Sequence, residues 1–158
     1  RHGVRFLRVI DAAGPANALG FLIGRIGDVI NGEHHGTPTS LPWGVNYVNE
    51  HTLGQRGEIV HPEVAYEMLW CVLLLAAGLP LYRRLKARYP DGVVGLAWLG
   101  IYAAGRFLLS YMREDSLFLG LRQAQWAGLL MVLIAIGGII YLLRRHPAPT
   151  AAAAEVAA

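Results

Sequence analysis

The chain has 158 residues, 54% of them apolar and only 16% charged, against about a quarter charged in an ordinary soluble domain. Its net charge of +3 does not mark a nucleic-acid binder, because the basic residues fall in short clusters beside apolar runs, the pattern of membrane topology. The single Cys71 excludes an intrachain disulfide and a thiolate metal site, and reads as a small core filler.

Four apolar runs predict an all-α, polytopic transmembrane bundle of about four spans. The first, 9–30, is interrupted by Asp11, Gly14-Pro15 and Arg25, which predicts an irregular or tilted helix. Its end carries the densest polar segment of the chain, 24–36, with Arg25, Asp28, Asn31, Glu33, His34 and His35 set among glycines at 24, 27, 32 and 36. Ionisable groups beside hydrocarbon are costly and mark functional sites by default, while glycine permits turns and close backbone approach. His34-His35 has no third ligand at zinc-like spacing. The connection 31–63 is long for a bare loop, and its Trp43 and Tyr47 suit the headgroup level.

The second run, 64–82, has Glu67 near its start and Pro80 near its end, and is followed by the basic stretch Arg83-Arg84-Leu85-Lys86-Ala87-Arg88. The third, 93–112, contains Arg106. The fourth, 124–143, carries no charge and is long enough to cross a hydrocarbon core of about 30 Å. Lipid offers no partner for backbone amides, so all four must be helical. Residues 147–158 are Ala/Pro-rich and predict a disordered tail.

The basic clusters at 1–8, 83–88 and 144–145 all fall on one side of four alternating spans. Positive segments stay cytoplasmic, which puts both termini inside and the loops 31–63 and 113–123 outside. Arg25, Asp28 and Asn31 then leave the first span on the same side that His61, Glu63, Tyr66 and Glu67 enter the second. Arg106 and Arg113 approach the outer end of the third, with Ser110 on their face at i, i+4 and i, i+3 spacing, and Gln125 opens the fourth. Guanidinium forks hold phosphate oxygens in pairs, so Arg25, Arg106 and Arg113 at headgroup depth predict an anionic phospholipid ligand. Arg113 is expected nearer the rim, and the acids Asp28, Glu33 and Glu67 are expected to offset only part of the positive charge.

Residues 24–36, Gly-Arg-Ile-Gly-Asp-Val-Ile-Asn-Gly-Glu-His-His-Gly, resemble the signature of the prolipoprotein diacylglyceryl transferase family, G-R-x-G-N-F-x-N-G-E-x-x-G. Supporting pieces follow in the family's order: Asp11 with Gly14-Pro15, Pro38-Thr39, Leu41-Pro42-Trp43-Gly44, His61-Pro62 with Tyr66-Glu67, Gly105-Arg106-Phe107, Arg113 with Asp115, and Gln125. The resemblance covers about residues 5–145. It implies a multi-pass enzyme of the bacterial inner membrane that moves the diacylglyceryl group of phosphatidylglycerol onto the lipobox cysteine thiol of prolipoproteins, without metal or organic cofactor. Its partners are then phosphatidylglycerol, prolipoprotein signal peptides and membrane lipids. It implies Arg25, Asp28, Glu33 and Arg106 as catalytic residues, and Arg25, Asn31, Gly36, Arg106 and Arg113 as phosphatidylglycerol ligands.

Three departures stand out. The family's usual motif Asn is Asp28, with Val29 where Phe is common. A Glu often found four residues after the third-span Arg is Ser110. The family is also roughly twice as long, and the N-terminal half that carries a His-Gly motif has no counterpart here. Residues 1–146 therefore read as the C-terminal half of a diacylglyceryl transferase-like domain, expected to be inactive alone, and the opening Arg1-His2-Gly3 without Met reads as a fragment. The competing expectation is a non-catalytic lipid-binding or assembly subunit descended from the family; a small anion transporter is the weaker one.

Overall fold

The computed structural model describes residues 5–32, 35–48, 50–52 and 57–145. Helix α1 spans Phe6–Asn31, α2 Glu63–Arg88, α3 Val93–Leu109 and α4 Gln123–Arg145. Each is long and apolar enough to cross a membrane, α3 together with the 3-10 turn Ser110–Met112 that extends it. Between α1 and α2 lie the two-residue strands β1 (Val45–Asn46) and β2 (Ile59–Val60), paired antiparallel with Val45 opposite Val60. Between α3 and α4 lie β3 (Leu117–Phe118) and β4 (Leu121–Arg122), antiparallel with Leu117 opposite Arg122. Both hairpins therefore sit at the end where α1 and α3 finish and α2 and α4 begin. The tail at 147–158 and the motif residues Glu33 and His34 lie outside the described residues.

Helix α3 touches all three other helices. Trp98 is the reason it can: the ring is 5% exposed and lies so close to α1 and α2 that a Cβ at Gly14 or Gly78 would fall 2.8 or 2.4 Å from it. Small residues at helix crossings are the usual route to close packing where lipid removes the hydrophobic drive for association. Ala18, Leu74, Val94 and Trp98 form the buried apolar cluster. Most large apolar side chains on α4 face outward, including Leu130, Leu133, Ile134 and Ile136, as lipid-facing positions do.

Helix α1 is continuous through Pro15, so the expected irregularity does not occur. Its polar interruptions are satisfied by neighbours. Asp11, fully buried, accepts hydrogen bonds from Gly92 N and Gly95 N at 2.8 Å each and from Lys86 Nζ at 2.5 Å. A residue of α1 thereby caps the N-terminus of α3, where backbone amides lack partners and negative charge is favoured. Helix α2 also runs further than the apolar run, through the basic segment to Arg88. Leu, Lys, Ala and Arg are good helix formers and cations suit a helix C-terminus; Tyr89 ends it because the residue before Pro90 is pushed out of the helical region.

Candidate functional site

The antiparallel run of helices brings α1's last turns, the start of α2 and the end of α3 together. Arg25 and Asp28 are three apart on α1, hence neighbours on its surface. The Arg25 Nη1 donates to Asp28 Oδ2, and its Nη2 lies 2.8 Å from Glu67 Oε2. Glu67 is fully buried; its Oε1 accepts from the Tyr102 hydroxyl at 2.7 Å, and its Oε2 is 3.4 Å from Arg106 Nη1. That same Arg106 nitrogen donates to Glu63 Oε1 at 2.5 Å. Glu63 is fully buried too, and its Oε2 accepts from Arg113 Nη1 at 2.9 Å. Arg113 Nε finally donates to Asp115 Oδ2 at 2.6 Å.

The result is an alternating line, Asp28–Arg25–Glu67–Arg106–Glu63–Arg113–Asp115. Among the described residues three guanidiniums meet four carboxylates. The expectation that nearby acids offset only part of the charge is therefore corrected: cations and anions alternate, because Glu63 joins Asp28 and Glu67, and Asp115 closes the far end. Uncompensated charge in such a place would be far costlier than paired charge.

Arg113 is the second correction. Expected at the rim, it is 5% exposed. The segment after α1 covers it: Gly36 forms a bridge with Arg113, Thr37 N donates to Met112 O at 2.8 Å and Glu114 N to His35 O at 3.1 Å. The same segment also pairs with β2, through Thr39 N to Ile59 O at 2.9 Å and His61 N to Thr37 O at 3.0 Å. Residues 35–39 thus form the middle of a three-stranded ledge over the ion pairs. Gly36 makes the crossing possible, since a Cβ there would stand 2.2 Å from His61 O. Burial opposes the charge on Arg113, but its hydrogen bonds to Asp115 and the charges of Glu63 and Asp115 outweigh it and raise its pKa.

Of the sequence-predicted residues, Arg25, Asp28, Arg106 and Arg113 come together. Asn31 is exposed at the end of α1, Gly36 is buried in the ledge, and Glu33 lies outside the described residues. The sequence places Glu63 and Glu67 on the right side and marks Glu67 as a counter-charge to the arginines, but it does not mark Glu63 as one, nor Tyr102, which lies one turn before Arg106. That i, i+4 spacing was the available signal. On the flank, Trp43 Nε1 donates to the Tyr66 hydroxyl at 2.8 Å, and His61 Nδ1 stands 3.2 Å from the same oxygen. Below the charges an apolar crevice of about 490 Å³ opens between α1, α3 and α4, bordered by Ala18, Phe21, Trp98, Tyr102 and Met131.

A family model described as prolipoprotein diacylglyceryl transferase matches residues 1–141. The chain belongs to that family. Proteins named phosphatidylglycerol–prolipoprotein diacylglyceryl transferase from Dehalococcoides mccartyi and Clostridioides difficile are each 36% identical to it, over 139 and 144 residues. Those matches cover 87% and 90% of this chain, and 52% and 54% of the relatives. A Streptomyces coelicolor protein of the same name, numbered 1, is 35% identical over 149 residues, 93% of this chain and 43% of its own length. The chain spans about half the length of the curated relatives it matches. With four helices able to cross a membrane among the described residues, this member of the family is a multi-pass membrane protein.

Proposed function

We propose that this chain carries the phosphate-binding part of a transferase that moves the diacylglyceryl group of phosphatidylglycerol to a lipobox cysteine thiol in the bacterial inner membrane. The observation that supports it best is the line of arginines at one end of the bundle, with an apolar crevice beginning beside it at Tyr102. A phospholipid needs that combination, cationic at headgroup depth and apolar below. Among the described residues Arg106 donates through Nη1 only, so Nη2 and Nε stay available for phosphate oxygens. The buried carboxylates hold the guanidiniums in fixed planes, and donors that need no reorganisation contribute most in a water-poor site.

In the reaction the substrate thiolate forms a carbon–sulfur bond at the glyceryl carbon that carries the phosphate ester. The carbon–oxygen bond breaks and negative charge collects on the departing glycerol phosphate. Arg25 and Arg106 stabilise that charge. The crevice takes acyl chain, and Arg113 fixes the ledge and Arg106 through the shared Glu63.

The test is transfer to a lipobox peptide by full-length protein in phosphatidylglycerol nanodiscs. Arg25→Ala and Arg106→Ala are each expected to cost on the order of a hundredfold or more in kcat, and Lys at either position restores little, since a point charge cannot reproduce the fork. Wild-type rates in both Ala variants would sink the reading. The full pairing of the arginines favours a second one, an ion-pair lock in a non-catalytic lipid-binding subunit; binding of phosphatidylglycerol with no transfer in any variant, wild type included, would establish it.

A further inference from the structure

Glu63 occupies an unusual position in the charge line. It is the first residue of α2, its side chain is fully buried, and its two oxygens go to different arginines, Oε1 to Arg106 at 2.5 Å and Oε2 to Arg113 at 2.9 Å. Among the described residues no other acid touches both. Arg113 has a second holder in Asp115, whereas among the described residues Arg106 without Glu63 keeps only the 3.4 Å contact to Glu67. The start of a helix also favours an anion, so Glu63 is a fixed negative point between two cations that would otherwise repel.

Ser110 shares a helix face with the same pair, at i, i+4 from Arg106 and i, i+3 to Arg113. It is fully buried, one turn after Arg106 and three residues before Arg113, and its hydroxyl donates to Arg106 O at 2.7 Å. An acid at 110 would therefore stand on the face that carries both arginines.

We propose that Glu63 is the positioning residue of the phosphate clamp: its carboxylate sets the plane and spacing of the Arg106 and Arg113 guanidiniums, and the function resides in a carboxylate at that point and not in position 63 as such. This rests on the phosphate-clamp reading above. Glu63 acts through Arg106 and does not itself contact lipid. Two consequences separate it from a role in folding alone. Losing the charge lowers kcat per folded molecule without raising KM for phosphatidylglycerol, because the released guanidiniums still attract phosphate but no longer hold the departing group in line. Moving the acid to the other helix, Glu63→Ser with Ser110→Glu, keeps the number of charges and the summed side-chain volume and is expected to restore the geometry.

The experiment measures kcat and KM for phosphatidylglycerol in nanodiscs with full-length Glu63→Gln, Glu63→Ser, the Glu63→Ser/Ser110→Glu pair and Arg106→Ala, each normalised to folded protein by thermal unfolding. Glu63→Gln and Glu63→Ser are expected to lose on the order of a hundredfold in kcat, the scale of a misaligned reacting geometry, and the exchange pair to return to within about tenfold of wild type. Glu63→Gln at full rate overturns the proposal. So does an exchange pair that folds but transfers no faster than Glu63→Ser, or one that does not fold. Arg106→Ala at wild-type rate instead overturns the clamp reading beneath it.

Discussion

Glu67 touches Arg25, Arg106 and the Tyr102 hydroxyl at once, so removing its charge leaves Arg25 with Asp28, Arg106 with Glu63, and the Tyr102 hydroxyl without its acceptor. Leaving a buried charge uncompensated costs about 3–5 kcal/mol; each arginine here keeps one carboxylate, so Glu67→Ala is expected to lower stability in thermal unfolding by less than that. Asp28 stands differently. It is partly exposed and offers Arg25 an acceptor, which Asn also has. Asp28→Asn should therefore keep most transfer activity and Asp28→Ala should not; equal rates in the two would show that the position is not used. Arginines within apolar runs announced themselves in the sequence because hydrocarbon makes them expensive. Asp28 and Glu67 could be read as their counter-charges, but Glu63 and Asp115 could not. Glu63 lies at the boundary between a polar loop and an apolar run, where acids are normally solvated, and only the ledge of residues 35–39 buries that boundary. Arg113 read as a rim residue for the same reason.

Among the elements, α4 matches its apolar run within two residues at either end, since nothing in that run competes with the helix. Helix α2 outruns its own because helix propensity continues after hydropathy stops. The strand ledge was not legible at all: its pairings join residues 35–39 to 59–61 and 112–114, and no local pattern specifies partners that far apart. Asp11 is the clearest case of an element held by another element. Loss of a capping oxygen costs about 0.5–2 kcal/mol, and Asp11→Ala also leaves Lys86 with Asp91 alone among described partners. Unfolding of Asp11→Ala should come at lower temperature than that of Asp11→Asn, which retains one acceptor; the reverse order would refute the cap.

Asp91 gives the same end of the bundle a pH signature. Hydrogen bonds from Lys86 and then Arg8 lower its pKa. A carboxylate with a lowered folded pKa stabilises above its unfolded value, about 3.9, and that stability is lost as pH falls through the lower folded value. The pair is substantially exposed, so the contribution is about 1 kcal/mol or less. The difference in thermal stability between wild type and Asp91→Asn should be present at pH 7 and shrink towards pH 3. A difference unchanged by pH would mean that the ion pairs contribute nothing.

At the scale of the whole molecule, charge is sorted along the bundle axis. Arg5, Arg8, Arg83, Arg84, Lys86, Arg88, Arg144 and Arg145 gather at the end where α1 and α3 start and α2 and α4 finish. Both hairpins and the ion-pair line occupy the opposite end. Lys and Arg beside spans are retained in the cytoplasm, so the basic end is expected inside and the charge line at the outer leaflet, with Asp11, Lys86 and Asp91 closing the bundle on the inner side. Glu50 is exposed on the hairpin side and Arg84 on the basic side, while the native Cys71 is buried and is replaced by Ala to remove its signal. In intact cells a membrane-impermeant maleimide should label Glu50→Cys and leave Arg84→Cys untouched until the membrane is opened. Labelling of Arg84→Cys alone would invert the molecule. It would place the arginines at the inner leaflet, against the function proposed above, which needs the ion-pair line and the acceptor thiol on the outer side.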